Sequence, residues 1–232
     1  MAYPQEKDLM AGKPKINMHR QFTIDKPSHG TEYNIKSPSN DPLFHVNIAS
    51  TVPDSPDLVL HAGPGINTPV VAIAYLGIGR SIAHKIGLGN PNIPGEMFWE
   101  DMARESLGMA KHSWLMAKKP GSSDKQKVAW KKTHSVSVDG IKMAKMNNRN
   151  WKLVDEETEE VLAVFTRVRS TSECGILQIN VDYGKDFDLM VMMTILALFE
   201  KTRRQAKASV ASASGPRRGS VRYTNIGQAS LG

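Results

Sequence analysis

The sequence predicts a mainly β protein, a closed antiparallel β-barrel of about twelve strands around a central hydrophobic C-terminal helix. Three observations carry this prediction: short apolar runs at close spacing, one long apolar helical segment near the end, and the composition of a soluble globular chain. That composition is 40% hydrophobic and 23% charged over 232 residues, which excludes a chain that is disordered throughout.

The predicted strands are short apolar or alternating runs with Pro and Gly in the gaps, a pattern typical of an antiparallel sandwich or barrel. An α/β fold would need several amphipathic helices, and upstream of residue 186 only Trp99–Leu107 is a short candidate. Asp139-Gly140 predicts a tight hairpin turn between two of the runs. The runs are Gln21–Asp25, Glu32–Lys36, Leu43–Ala49, Leu58–His61, Pro69–Leu76, Ile78–Ile86, Met97–Trp99, Ser113–Ala117, Lys127–Thr133, Val136–Val138, Ile141–Met146, Asn150–Val154, Val161–Arg169 and Ile176–Asp182.

The helix is predicted at residues 186–204, with Asp186 as its N-terminal cap. Its apolar part, Phe187–Phe199, has 13 residues broken only by Asp188 and Thr194, and at 3.6 residues per turn no face suits water. Burying these side chains gains roughly 15–30 kcal/mol of transfer free energy. A bilayer span needs about 20 apolar residues, so we expect the protein's own strands to enclose the helix.

The domain organisation follows from composition and charge. Residues 16–207 are predicted to form the barrel domain, 1–15 a flexible arm, and 208–232 a disordered basic tail rich in Ser, Ala and Gly. The chain carries a net charge of +7. Residues 201–232 contain seven Lys or Arg and no acid, so the whole excess is C-terminal. Ser220 follows Arg217-Arg218-Gly219 and is a candidate phosphorylation site for a basophilic kinase.

Two segments resemble the tubby C-terminal-like fold, which tubby proteins, phospholipid scramblases and LURP-one-related proteins share. They are the predicted strand pair Asn150–Asp155 and Val161–Arg167, and Val181-Asp182-Tyr183-Gly184-Lys185-Asp186 leading into the apolar helix. The resemblance is specific over residues 150–204 and is most similar to the LURP-one-related and scramblase branch. It implies a barrel of about twelve strands threaded by the helix and, for tubby itself, a basic phosphoinositide-binding pocket at a membrane surface.

No motif predicts catalysis, a cofactor or a metal. Seven histidines are spread singly, without metal-ligand spacing. Gly77-Ile78-Gly79 follows an apolar run as in a dinucleotide site, but no βαβ repeat follows, so a glycine-kinked hairpin is the stronger interpretation. Cys174 is a single cysteine that cannot form an internal disulfide, and the N-terminus lacks a secretory signal, which predicts a cytoplasmic or nuclear protein.

Basic residues form the most informative group. Between positions 104 and 152 there are twelve Lys or Arg against three acids, a local balance of +9. Strand alternation places Lys127 and Lys131 outward and Trp130 in the core, while Lys118 and Lys119 flank a Pro-Gly turn. The candidate lipid-headgroup residues are Lys118, Lys119, Lys127 and Lys131, with Arg203, Arg204 and Lys207 at the helix end.

Three functions are therefore open. The first is a non-catalytic module that binds phosphoinositide or another anionic lipid headgroup at a cytosolic membrane surface. The second is a protein-interaction scaffold, cytoplasmic or nuclear, that uses the basic face and tail. An enzyme without a recognisable motif is third. Sequence-specific nucleic-acid recognition is unsupported, because aromatic residues are 6% of the chain and no binding signature occurs.

Overall fold

A computed structural model describes residues 20–26, 30–49, 54–77, 83–106, 110–117, 124–141, 150–168 and 173–213. Within these ranges the chain forms twelve β-strands followed by one α-helix. The elements are β1 (Arg20–Asp25), β2 (Glu32–Lys36), β3 (Pro42–Ile48), β4 (Leu58–His61), β5 (Val70–Tyr75), β6 (Ala83–Leu88), β7 (Phe98–Arg104), β8 (Lys111–Ala117), β9 (Lys125–Thr133), β10 (Asn150–Asp155), β11 (Val161–Arg167), β12 (Glu173–Ile179) and α1 (Lys185–Ala213).

Each strand pairs antiparallel with its neighbour in sequence, and β1 pairs with β12 to close the barrel. In that closing pair Arg20 lies opposite Ile179 and Phe22 opposite Leu177. Closure leaves no free sheet edge in the barrel. The predicted closed barrel of about twelve strands is therefore confirmed.

The barrel encloses the apolar part of α1. Phe187 and residues 189–198 are all at most 4% exposed, as are inward-facing strand residues such as Leu60, Ile86 and Trp130. The Trp130 indole Nε1 donates a hydrogen bond to Thr194 Oγ1 at 2.9 Å, which joins the barrel wall to the helix inside it. The predicted central helix is confirmed.

The two ends of the barrel differ in what they carry. Because successive strands are antiparallel, the connections β2–β3, β4–β5, β6–β7, β8–β9 and β10–β11 all lie at the end where β12 finishes and α1 begins. We call this the helix-entry end. Lys185, the first residue of α1, lies there, so the helix runs from this end into the barrel.

The helix is longer than the sequence predicted, extending to Ala213 rather than residue 204. Residues 208–213, predicted to begin the disordered tail, are therefore helical. Gln205, Ala206 and Lys207 are good helix formers, and alanine and serine can continue the helix after them. Among the described residues, those of α1 from Phe199 onward form a unit separate from the one that ends at Leu198. The predicted arm at 1–15 and the rest of the tail, with Ser220, lie outside the described residues.

Two local predictions were wrong. Val136–Val138 is not a strand: the Val138 N–H is bound to the side-chain oxygen of Thr166 at 2.9 Å, so a side chain satisfies it instead of a neighbouring strand. The turn at Asp139-Gly140 is present, with Gly140 at φ +80°, but the run before it is not a strand and the run after it lies almost wholly outside the described residues. The short helix candidate at Trp99–Leu107 falls largely on β7. The predicted hairpin is present as β5–β6, where Tyr75 pairs with Lys85; the turn between them, residues 78–82 with Gly79, lies outside the described residues.

Replacing Thr194 tests the link between wall and helix. We expect Thr194→Val to lower the free energy of unfolding by about 1–3 kcal/mol, because it leaves the buried Trp130 N–H without an acceptor. Thr194→Ser keeps the hydroxyl and is the matched control. Urea denaturation followed by tryptophan fluorescence measures both variants, and an equal loss in the two would contradict a role for the hydrogen bond.

Candidate ligand-binding site

Lys127 and Lys131 face outward from β9, as predicted, but both meet carboxylates there. Lys127 Nζ lies 2.5 Å from Glu105 Oε1 and 3.2 Å from Glu156 Oε2. Lys131 Nζ lies 2.8 Å from Glu159 Oε1. Lys111 completes the group, at 2.6 Å from both Glu105 and Glu156. We call these three lysines and three glutamates the lysine–glutamate cluster.

The pKa values of this cluster show how strongly its charges interact. Hydrogen bonds from Lys111, Lys127 and Ser113, in that order, lower the pKa of Glu105 to about 2. Burial raises the pKa of Glu156, but hydrogen bonds from Lys111 and Lys127 outweigh it and leave that pKa lowered. The same glutamates raise the pKa values of Lys111 and Lys127. The cluster is therefore neutral as a whole at physiological pH.

The sequence missed this neutralisation because two of the acids lie outside the basic segment. Glu156 and Glu159 belong to the β10–β11 turn, which the fold brings beside β9. The Glu156 N–H donates to the Lys127 carbonyl oxygen at 2.9 Å, and this bond holds the turn against the strand. The +9 balance of residues 104–152 thus overstates the positive charge on this face.

The helix candidates are also held by an acid. Arg203 makes two hydrogen bonds to Glu200, Nε to Oε2 at 2.7 Å and Nη2 to Oε1 at 2.6 Å. Arg204 Nε donates to Glu200 Oε1 at 2.9 Å. Lys207 is exposed one turn further along. Lys118 and Lys119 lie outside the described residues, in the connection between β8 and β9.

Exposed apolar side chains gather at and near the helix-entry end. Of the six large hydrophobic residues recorded as exposed in the described ranges, five lie on the connected stretch β4–β9. We call these five the apolar rim. Ile66, Ile93 and Phe98 lie at the end itself, in or beside its connections, and Trp99 and Leu115 lie on the outer wall of the barrel close to that end. The apolar rim consists of Ile66 (62% exposed), Ile93 (45%), Phe98 (49%), Trp99 (37%) and Leu115 (50%).

Lysines accompany the aromatic members of the rim. Lys85 Nζ lies 4.7 Å from the centre of the Trp99 ring, and Lys125 Nζ lies 5.9 Å from the centre of the Phe98 ring, distances within cation–π range. The sequence analysis missed the rim, because it treated the Pro- and Gly-rich gaps only as turns. The sequence feature that could have revealed the rim is an isoleucine at the tip of a turn: Ile66 follows Gly65, and Ile93 precedes Pro94.

A cavity of about 250 Å³ opens at the same end, where α1 enters the barrel. We call it the entry cavity. β2 ends at Lys36, which lies opposite Thr23 of β1. The first residues of β1 therefore extend beyond the end of β2. Side chains, rather than a strand, occupy the space between β1 and β3 at this level. The cavity is lined by Phe22, Phe44, Leu189 and Met192, with Arg20, Lys185 and Asp188 as its charged members.

Arg20 organises the mouth of the entry cavity. Its Nη2 donates to Asp188 Oδ1 at 2.9 Å and to the Val181 carbonyl oxygen at 2.6 Å, and its Nη1 donates to Asp182 Oδ1 at 3.2 Å. Burial nevertheless raises the pKa of Asp188 to about 6; Arg20 opposes this shift and Asp182 adds to it. Asp188 is thus a carboxyl group that gains a proton just below neutral pH.

Other site types find no support in the part of the chain described. Among those residues no group of three or more His, Cys, Asp or Glu is placed to hold a metal ion. Cys174 is buried and is not part of a disulfide. No helix in the described ranges combines the length and hydropathy that crossing a bilayer requires.

No family model matches the chain, and no curated protein matches it. A solved structure that it resembles is the X-ray structure of a protein from Arabidopsis thaliana, with 13% sequence identity and a TM-score of 0.48. The match covers 81% of this chain and 93% of the plant protein.

Removing the charge of Asp188 tests the mouth of the entry cavity. In the native protein, the protonated Asp188 carboxyl group stabilises the folded state. This stabilisation is lost as the pH rises from the ordinary pKa of an aspartate through about 6, because in that range the folded state holds a proton that the unfolded state has released. We expect Asp188→Asn to be more stable than the native chain above that pH, by roughly 1 kcal/mol after solvent screening, and equal to it at low pH. Urea denaturation across the pH range measures this.

Asp182→Asn is the matched control, because Asp182 contacts the same arginine but is 58% exposed. It should leave most of the pH dependence in place. A pH profile that Asp188→Asn leaves unchanged would contradict the raised pKa.

Proposed function

We propose that the chain is a non-catalytic module that binds anionic lipid at a cytosolic membrane surface, with its helix-entry end toward the bilayer. The observation that carries the proposal is the apolar rim, which gathers five exposed hydrophobic side chains at or near one end of the barrel. Exposed apolar patches mark membrane or protein contacts. The resemblance to tubby-like proteins supports the same class of function.

The geometry suits shallow insertion into a lipid headgroup layer. Ile66, Ile93 and Phe98 lie in or beside connections between strands, where they can enter a bilayer without any change in the barrel. Transfer of apolar surface out of water gains about 25 cal/mol per Å², and each lysine near an anionic leaflet adds about 1 kcal/mol. Lys85, beside Trp99, would add such a contact, whereas Lys125, beside Phe98, is paired with Glu100 at 3.2 Å.

The predicted headgroup residues have different roles in this proposal. Lys118 and Lys119 belong to the β8–β9 connection, whose described neighbours Ala117 and Asp124 lie at the helix-entry end, and we assign them to headgroup contact. Lys127 and Lys131 belong to the lysine–glutamate cluster, so a lipid phosphate would compete there with carboxylates. A phosphoinositide, with several phosphates, is the preferred ligand because it offers the most charge-assisted hydrogen bonds.

Vesicle sedimentation at low salt tests the proposal. We expect the protein to pellet with phosphatidylcholine vesicles that contain a phosphoinositide and to stay in solution with phosphatidylcholine alone. The double variant Ile93→Ser, Phe98→Ser should weaken binding by at least tenfold, since it removes two apolar contacts of about 1 kcal/mol or more each. Val210→Ser is the matched control, because Val210 is exposed but lies on α1 outside the rim.

A second pair of variants distinguishes the contribution of Lys118 and Lys119 to binding from that of Lys127 and Lys131. Neutralising Lys118 and Lys119 to Gln should weaken binding to anionic vesicles about tenfold at low salt. Neutralising Lys127 and Lys131 to Gln should have a smaller effect, because their charges are already matched by glutamates. Equal binding to neutral and anionic vesicles, or no loss in the rim variant, would contradict the proposal and favour the scaffold, in which the rim contacts a protein.

A further inference from the structure

We propose that the entry cavity binds one molecule of a single-chain anionic amphiphile, with the alkyl chain in the cavity and the anionic head at Arg20 and Lys185. This site goes beyond the proposed membrane contact. It takes a monomeric ligand from solution, needs no bilayer, and uses none of the rim side chains. The two proposals can therefore fail separately.

The cavity has the chemistry that an alkyl chain needs. Two phenylalanines from the barrel wall, Phe22 and Phe44, face Leu189 and Met192 of α1 across it. Its volume of about 250 Å³ is slightly below the usual range of about 300–1,000 Å³ for small-molecule pockets. A space of this size suits a short single alkyl chain better than a two-chain lipid.

Two cationic side chains at the mouth can contact an anionic head. Lys185 is exposed there and forms no recorded ion pair with a described residue. Arg20 shares its Nη atoms among Asp182, Asp188 and a carbonyl oxygen, while its buried Nε has no acceptor within the described ranges. An oxyanion head at the mouth would pair with Lys185 and supply Arg20 with a further acceptor.

Asp188 makes the site sensitive to pH. The charged groups at the mouth are Arg20 on β1, Asp182 in the β12–α1 connection, and Lys185 and Asp188 on α1, while β3 contributes the uncharged Phe44. With Asp186, which lies in the same first turn of α1, their sum is −1 when Asp188 is ionised and zero when it is protonated. Because the pKa of Asp188 is about 6, an anionic ligand should bind more tightly below that pH, and by linkage its binding should raise the pKa further.

Octane-1-sulfonate is a suitable probe, because its head stays ionised across the pH range. We expect isothermal titration calorimetry of the full chain without lipid to show one site, with about fivefold tighter binding at about pH 5 than at about pH 8. Octanol, which has the chain without the charge, should bind more weakly and without pH dependence. Methanesulfonate, which has the head without the chain, should not bind measurably.

Four variants identify the site. Met192→Phe fills the cavity and should weaken octane-1-sulfonate at least tenfold, while circular dichroism checks that it folds. Lys185→Gln alters only the exposed mouth and should weaken the sulfonate about three- to fivefold without affecting octanol. Asp188→Asn should bind equally well at both pH values. Lys152→Gln removes a lysine from the outer wall of β10 and should change nothing.

The proposal is overturned if octane-1-sulfonate does not bind, or if a folded Met192→Phe binds it as the native chain does. It is also overturned if Lys185→Gln and Lys152→Gln lose affinity equally, because the sulfonate would then respond only to net charge. These measurements contain no vesicles, so their outcome does not depend on whether the apolar rim binds a membrane.

Discussion

The structure depends on keeping the apolar part of α1 away from water. Residues 189–198 are buried on every side of the helix, and such a segment is stable in water only when something surrounds it completely. An open sheet would cover one face only. Closing β1 onto β12 covers all faces and removes both sheet edges. The Trp130–Thr194 hydrogen bond then satisfies two of the polar atoms that are buried inside the barrel.

A helix enclosed in this way must enter the barrel at one end, and polar and apolar groups meet at that entrance. α1 must pass from the β12 connection into the barrel, so its first turns lie between polar surface and apolar interior. Asp188 lies at that boundary, partly buried and paired with Arg20. Its raised pKa and the entry cavity beside it both follow from this position, since the short β2 leaves space between β1 and β3.

A count of charges along the sequence does not predict the net charge of a surface patch in the folded protein. Lys127 and Lys131 were predicted to face outward and they do, yet Glu105, Glu156 and Glu159 meet them there. Arg203 and Arg204 are likewise held by Glu200, a buried acid on the same helix. The feature that distinguishes the helix-entry end among the described residues is apolar rather than basic: Ile66, Ile93 and Phe98 stand exposed in or beside its connections.

The sequence by itself determined the barrel, the enclosed helix and the outward orientation of Lys127, because all three depend on local periodicity and on the total apolar surface that must be buried. Only the tertiary structure decided which acids neutralise the lysines, where the exposed isoleucines gather, and that Arg20 meets Asp188 across 168 positions of sequence. Those features depend on strand register and on which connections share a barrel end. Register is set by the closure of the whole sheet, so a local stretch of sequence does not reveal it.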